Sequence, residues 1–345
     1  MTRFPAALFL FLIAITLHNS GSAYGQNKEP LPTWNDVASK KSILQFVDRV
    51  TVEEAAEFVP VSDRIAVFDN DGTLWCEKPY YTQLAYAFDR AKLLVNEKPD
   101  LKSKPVFQAL LADDMRKLAQ QGEAGLMDLL MATHAGQTTS EFSQDVTAWL
   151  QVSKHPRFQR AYTELVYQPM LELIDYLQQK QFKVYIVSGG GVDFVRTFSA
   201  DVYGIPSEQV IGSTIKTKYE ERDGVSVLVR QAAIDFIDDK AGKPVRIHSI
   251  LGKKPIIAIG NSDGDYEMLR YITDRASGET AARATLGVIV HHTDSQREFA
   301  YDRESAVGKL DRALTESPAR GWVVVDMAQD WKEVFPQVAE TKKGP

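Results

Sequence analysis

The segment Arg64-Ile65-Ala66-Val67-Phe68-Asp69-Asn70-Asp71-Gly72-Thr73 constrains the fold more than any other part of the chain. Its short apolar, β-branched run reads as a buried strand. The strand ends in two aspartates one residue apart, and residues two apart on extended backbone project to the same side. Asp69 and Asp71 therefore face one point just past the C-terminal end of the strand, where open α/β sheets place their ligands. Gly72 permits the sharp turn that follows. Two carboxylates converging on one point repel unless a cation or a shared proton intervenes. An ordinary Asx turn after a strand would use the same residue types, so the rest of the chain has to decide between the two.

Two further apolar runs end in polar, glycine-rich loops. Phe182–Val187 leads into Ser188-Gly189-Gly190-Gly191, and Pro255–Ile259 leads into Gly260-Asn261-Ser262-Asp263-Gly264-Asp265. Leu286–Val290 and Trp322–Val325 read as additional strands. Helical spacing marks 34–59, Pro169–Gln179, Val192–Tyr203 and Lys243–Leu251. Strands alternating with helices predict an α/β fold: a Rossmann-like, mostly parallel sheet with helices on both faces. Between the first and second core strands, almost every segment reads as helix, notably Thr82–Asn96, Val106–Gln120 and Phe142–Gln151. Residues 80–168 are therefore expected to form an inserted helical cap. Val210–Lys216 and Val225–Arg230 read as a hairpin around Arg222-Asp223-Gly224, because Asp-Gly is a hairpin turn signal. The expected divisions are 1–25 signal peptide, 26–79 start of the core domain, 80–168 cap, 169–335 remainder of the core, and 336–345 tail.

The signal peptide is read from Arg3, the apolar run Phe4–Leu17, and the small residues Gly21-Ser22-Ala23 and Gly25, which place cleavage after Ala23 or Gly25. The run is too short to span a bilayer comfortably. A periplasmic or secreted protein with no stable membrane association after cleavage is expected. The net charge of −6, with no compensating basic run, argues against a nucleic-acid partner. The single cysteine, Cys76, rules out a disulfide within the chain. With no basic partner adjacent in sequence it reads as a small packing residue rather than a nucleophile.

In a parallel sheet the three polar loops lie at one edge and form one site. A phosphoryl group, with charge on its equatorial oxygens, needs cationic and N–H donors around it. The Ser188 hydroxyl and the backbones of Gly72 and Gly189–Gly191 can supply donors. A lysine from Asp239-Lys240-Ala241-Gly242-Lys243 can supply fixed charge. Lys243 is preferred to Lys240, because Ile247 and Ile250 follow it at helical spacing and place it at a helix start. Oxygen ligands from Asp69, the Asp71 region, Asn261 and Asp265 suit a hard cation such as Mg²⁺. One carboxylate can attack phosphorus while the other handles protons.

The order Asp-x-Asp-Gly-Thr-Leu, strand-Ser-Gly-Gly, Lys, Gly-Asn-Ser-Asp-Gly-Asp resembles the haloacid dehalogenase superfamily of phosphohydrolases. It is most similar to the phosphoserine-phosphatase-like branch, with a helical cap after the first motif, and the resemblance runs from about residue 62 to 330. The resemblance implies that Asp69 is the nucleophile that forms an aspartyl-phosphate and that Asp71 is the general acid/base. It implies that Ser188 binds phosphate and that Lys243 is the third-motif lysine. Asn261 stands where the family usually has a metal-binding aspartate, and Asp265 matches the second acidic position of that loop. Asp263 is a candidate substitute ligand, although its position does not match the pattern. The Asp71 carbonyl, rather than that of Asn70, is the implied backbone ligand.

The expected function is an exported, Mg²⁺-dependent phosphatase acting on a small phosphomonoester. A haloacid dehalogenase is the nearest rival, and Asp71 speaks against it. A non-catalytic protein that binds a phosphorylated ligand on the same fold is the other, favoured only by Asn261. Caps of this type usually select the substrate. Trp75, Glu77, Tyr80 and Tyr81 are close to the site by chain proximity, and Arg90 lies on the first cap helix. Glu77 and Arg90 read either as surface charges or as binders of a charged substrate head. His134, His291 and His292 are further candidates, but adjacent strand residues such as the last two point to opposite faces.

Overall fold

In the computed structural model, residues 29–274 and 283–337 are described. The expected signal peptide lies outside them, as does most of the expected tail. The strands are β1 (Ile65–Phe68), β2 (Lys183–Gly191), β3 (Val210–Arg222), β4 (Val225–Phe236), β5 (Ile257–Gly260), β6 (Leu286–His291) and β7 (Val323–Asp326). They form one seven-stranded sheet in the order β4-β3-β2-β1-β5-β6-β7. Every pairing is parallel except β3 with β4. All of β1 is buried, as a central strand covered by helices on both sheet faces must be. Its side chains divide with period two: Ala66 and Phe68 join one apolar cluster and Val67 the other. The strand order reverses at β1, with β2 on one side and β5 on the other. The crevice of such a sheet opens at the carboxyl ends of the strands flanking this point, and that is where Asp69 sits.

Every regular element between β1 and the helix that precedes β2 is helical: Thr82–Glu97, Pro99–Ser103, Pro105–Leu111, Met115–Gln120, Gly122–His134, Thr139–Val152 and Tyr162–Glu164. This insert has an apolar cluster of its own that includes Phe88, Leu94, Phe107, Leu110 and Leu129. The single helix expected over Val106–Gln120 is interrupted. Asp113 takes a positive φ of 50°, and the Asp114 side chain accepts the Lys117 N–H to start a new helix. Likewise only Ala38–Thr51 of the 34–59 stretch is α-helical, and Val192–Tyr203 is two short helices, Val192–Arg196 and Ser199–Tyr203.

The hairpin is longer than its pattern suggests, and it has two roles. The first part of β3 pairs parallel with β2, from Ile186↔Val210 onward. The rest forms an antiparallel ribbon with β4. The turn residues Asp223 and Gly224 both have positive φ, 51° and 77°, as a two-residue type I′ turn requires. Beyond Lys216, β3 carries exposed, mostly charged residues, which obscure the alternation, and beyond Arg230 β4 runs through the small residues Ala232 and Ala233 before Ile234. The ribbon meets the insert where the Gly136 N–H donates to the Arg230 carbonyl and the Arg230 N–H to the Gln137 carbonyl. No helix among the described residues is long and apolar enough to cross a membrane.

Candidate active site

Lys243, in the first turn of the helix Gly242–Leu251, is almost fully buried. Its Nζ donates to Asp69 Oδ1 at 2.6 Å, to Asp265 Oδ1 at 2.6 Å and to the Val187 carbonyl at 2.9 Å. All three ammonium donors are thereby used. Burial alone would lower the lysine pKa, but Asp265 and Asp69 carry it above its ordinary value. One ammonium faces more than one carboxylate. Burial and the Asp265 charge therefore push Asp69 well above the usual carboxylate range despite the Lys243 contact. Lys240 is exposed and takes a positive φ of 50°, so Lys243 is the lysine that enters the site.

The Asp71 carboxyl accepts the Trp75 indole N–H at 2.8 Å through Oδ1, and burial raises its pKa. Trp75 is stacked on Phe198 with ring centroids 4.6 Å apart. Asp71 Oδ2 lies beside the loop after β2, 3.7 Å from where a Cβ on Gly190 would stand. Ser188 is buried behind this loop, and its Oγ accepts the Gly190 N–H at 3.0 Å. Asp69, Asp71, Lys243 and Gly189–Gly191 line one cavity of about 390 Å³.

Asn261 and Asp265, both grouped with the metal ligands from sequence, are placed differently. Asp265 spends Oδ1 on Lys243, and its Oδ2 accepts from the N–H groups of Asn261 and Ser262 at 3.0 and 3.1 Å and from Ser262 Oγ at 3.3 Å. It anchors the lysine and the loop after β5, and this geometry leaves no oxygen for a metal. Asp263 points elsewhere. Its oxygens accept the N–H groups of Asp311, Arg312 and Ala313 and cap the helix Arg312–Arg320. Asn261 Oδ1 accepts from Thr73 Oγ1 at 3.2 Å, and Nδ2 donates to Glu77 Oε1 at 2.8 Å. The carboxylate beside the amide is thus Glu77, which is 2% exposed and not a surface charge. Burial pushes its pKa up to about 7, although His292 and the Tyr301 hydrogen bond favour the ionised form. Gly72 is needed twice over: its φ is +74°, and a Cβ would stand 2.0 Å from Asn261 Nδ2 and 2.5 Å from Glu77 Oε1.

The insert contributes Gln83, which the sequence reading missed. Its Oε1 accepts the Gly191 N–H at 2.7 Å, and its Nε2 lies 3.1 Å from His134 Nε2. A Cβ on Gly191 would stand 2.9 Å from Gln83 Nε2, so this glycine answers to the cap. His134 lines the cavity, and burial with the nearby Arg230 charge pushes its pKa down to about 3. Tyr81 lines it as well, whereas Tyr80 packs on Phe88. Arg90 pairs with Glu97 and Asp145, away from the cavity. His292 supports the first loop from behind: Nε2 is 2.7 Å from the Gly72 carbonyl and Nδ1 is 3.1 Å from Glu298 Oε2. His291 faces Asp302 at 3.4 Å. Cys76 is buried against Glu298, with burial and the Glu298 charge pushing its thiol pKa up, as befits a packing residue.

These oxygens suit a hard cation. Asp69, Glu77 and Asp265 are buried and Asp71 half-buried around one buried ammonium, so more carboxyl groups than cations converge on the site. Among the described residues no three Asp, Glu, His or Cys side chains form a closed metal cage. A cation here would draw on Asp69, Asp71 and neutral oxygens.

No curated protein matches this chain. Among solved structures it is similar to a conserved protein of unknown function from Anaerococcus prevotii DSM 20548, at 16% identity and a TM-score of 0.49, covering 77% of this chain and 89% of that one. It is also similar to a phosphoserine phosphohydrolase-like protein from Francisella tularensis subsp. tularensis SCHU S4, at 17% identity and a TM-score of 0.37, covering 74% and 98%. A phosphoserine phosphatase from T. onnurineus matches at 16% identity and a TM-score of 0.33, covering 79% and 94%. The assignment rests on none of these distant likenesses. The family model described as haloacid dehalogenase-like hydrolase matches residues 66–270, from β1 through the loop after β5, and the chain belongs to that family.

Proposed function

We propose that the protein is an exported, Mg²⁺-dependent phosphomonoesterase that hydrolyses a small phosphorylated substrate through an aspartyl-phosphate. One observation carries the reading: Asp69 is fixed by Lys243 at the end of β1 while the Asp71 carboxyl, its pKa raised, borders the same cavity. Asp69 Oδ1 is held by the lysine, which leaves Oδ2 to attack phosphorus. As the bond from phosphorus to the leaving oxygen breaks, the protonated Asp71 carboxyl gives its proton to that oxygen. Asp71, now a carboxylate, takes a proton from the water that attacks the aspartyl-phosphate, and phosphate leaves with Asp69 regenerated. Ser188 Oγ accepts the Gly190 N–H from behind and so shapes the Gly189–Gly191 backbone, which would face a phosphoryl oxygen in the cavity. Lys243 keeps positive charge beside the attacked phosphorus. Asp69 and the Asp71 region, beside Asn261, would hold Mg²⁺, which when bound would supply positive charge to the phosphoryl oxygens. The apolar run Phe4–Leu17 with small residues after it supports export to the periplasm or beyond.

Hydrolysis of nitrophenyl phosphate, with and without EDTA, tests the reading on the wild type and on Asp69→Asn. Turnover is expected only with the wild type and a divalent cation. A near-isosteric Asp69→Asn variant that keeps most of the rate would overturn the nucleophile assignment.

A further inference from the structure

The cavity above Asp69 is walled mainly by apolar side chains. Leu126, Met127, Leu130 and Met131 share one face of the insert helix Gly122–His134, and Ile215 and Ile234 face them from the β3–β4 ribbon. The polar groups in this wall are already engaged. Arg230 is paired with Asp193, donates to the His134 carbonyl and lies over the Phe142 ring. Gln83 is bound to the Gly191 N–H and to His134. His134 is neutral, given its depressed pKa. Among the described residues, this upper wall therefore has no cation without a partner to receive a substrate carboxylate. Arg90, the charged candidate from the sequence, lies outside the cavity.

Resting on the phosphatase reading above, we propose that the substrate is the phosphate ester of an apolar alcohol, whose hydrocarbon part fills the space between the insert helix and the ribbon. The phosphate stays at Asp69, Lys243 and the Ser188 loop, and the hydrocarbon extends between Leu130 and Ile234. At about 390 Å³ the cavity has room for a small organic group. The carboxylate of a zwitterionic amino-acid phosphate would have to be desolvated against Leu and Met side chains with no free cation to receive it.

A homologous series from ethyl to octyl phosphate tests this, because the leaving alcohols differ little in acidity and the slope reads burial. With Mg²⁺ present, kcat/KM is expected to rise roughly fourfold per methylene while the chain fits, the factor that burying one CH₂ confers. Hexyl phosphate should exceed O-phosphoserine and glycerol phosphate by roughly a hundredfold on the same basis. Leu130→Gln and, independently, Ile234→Gln should flatten the slope. A second arm measures binding of the same alkyl phosphates to Asp69→Asn by calorimetry, where Kd should tighten with chain length. Hydrolysis that is indifferent to chain length, or that favours phosphoserine, overturns the apolar-alcohol proposal and leaves the phosphatase reading intact. Absence of all hydrolysis, with binding that still tightens with length, overturns the phosphatase reading and leaves the apolar site. Binding flat across the series overturns the proposal whatever the rates.

Discussion

Replacing Asn261 by aspartate restores the residue type usual at that position, yet the structure predicts a penalty. Asn261 Nδ2 donates to Glu77 Oε1 at 2.8 Å, and Tyr301 donates to the same oxygen at 2.7 Å. Glu77 has no room to retreat, because its Oε1 sits against Gly72 and Gly308 at distances that no Cβ could tolerate. In Asn261→Asp two carboxylate oxygens meet where a donor met an acceptor, and one carboxyl must take up a proton to stay. Losing a hydrogen bond to a charged group costs about 1.5–3 kcal/mol. Glu77 already takes up its proton near pH 7, so the protonation adds little, and a total of about 2 kcal/mol, or roughly 3 °C in Tm, is expected without metal. Glu77→Gln alone should be mild, since a glutamine Oε1 still accepts from both donors. The double variant should recover most of the Asn261→Asp loss, because the amide and the carboxylate have exchanged places. Thermal unfolding of the four proteins in EDTA gives the coupling energy directly. A repeat in Mg²⁺ should raise the Asn261→Asp Tm more than that of the wild type, because that variant adds a carboxylate beside the cation. If the two substitutions add within about 0.5 kcal/mol, as independent sites do, the contact does not carry the energy argued for it.

Three other outcomes are expected. Lys243→Met leaves Asp69 and Asp265 buried without their cation, a loss of about 3–5 kcal/mol at neutral pH. Because removing the lysine leaves buried Asp69, whose pKa is already raised, harder still to ionise, the deficit should shrink as pH falls, and denaturant unfolding at two pH values would expose a deficit that does not. Asp71→Asn should slow alkyl ester hydrolysis by roughly 10²–10⁴-fold, as loss of a general acid does; nitrophenyl phosphate should suffer less, and equal losses on both esters would remove the proton-transfer role. Asp238 is buried with no hydrogen-bond partner for either oxygen among the described residues, and burial pushes its pKa from 3.8 up to about 7. The folded state then holds this proton more tightly than the unfolded chain, so stability falls by roughly 4 kcal/mol as pH rises between those values and levels off above. Asp238→Asn should remove that part of the slope, and an unchanged pH profile would show that the carboxyl is solvated or paired.

What was legible in the sequence was local. β1, β2 and β5 announced themselves because each is a short apolar run that ends within a few residues of aspartate, serine or glycine. Parallel pairing then forces those ends to one edge. Lys243 could be preferred to Lys240 from the helical spacing of Ile247 alone. Glu77 was misread for the opposite reason. A glutamate between Cys76 and Lys78 has nothing beside it in sequence to mark burial, and its partners Asn261 and Tyr301 lie 184 and 224 residues away. The helix break at Asp113 and the continuation of β3 past Lys216 were hidden similarly, one by a single positive φ and the other by the exposed charge along β3.

Asn261 is therefore better understood as the partner of a relocated carboxyl than as a lost ligand. A site with aspartate at this position would hold its carboxylate on the loop after β5. Here the amide stands on that loop and hydrogen-bonds a carboxyl group carried by the segment after β1, so a carboxyl is retained at that side of the site. Gly72 and Gly308 clear the space for it, and His292, Tyr301 and Thr73 fix the loop and the two side chains around it. The cap is tied in by the same economy of contacts. Gln83 bonds the Gly191 N–H of the loop after β2, while the β4 edge at Arg230 bonds Gly136 and Gln137, just past the helix that ends in His134. The chemistry at Asp69 and the apolar wall above it thus share one hydrogen-bonded frame. Gln83 thus links the loop after β2, through Gly191, to the helix that carries His134 at its end.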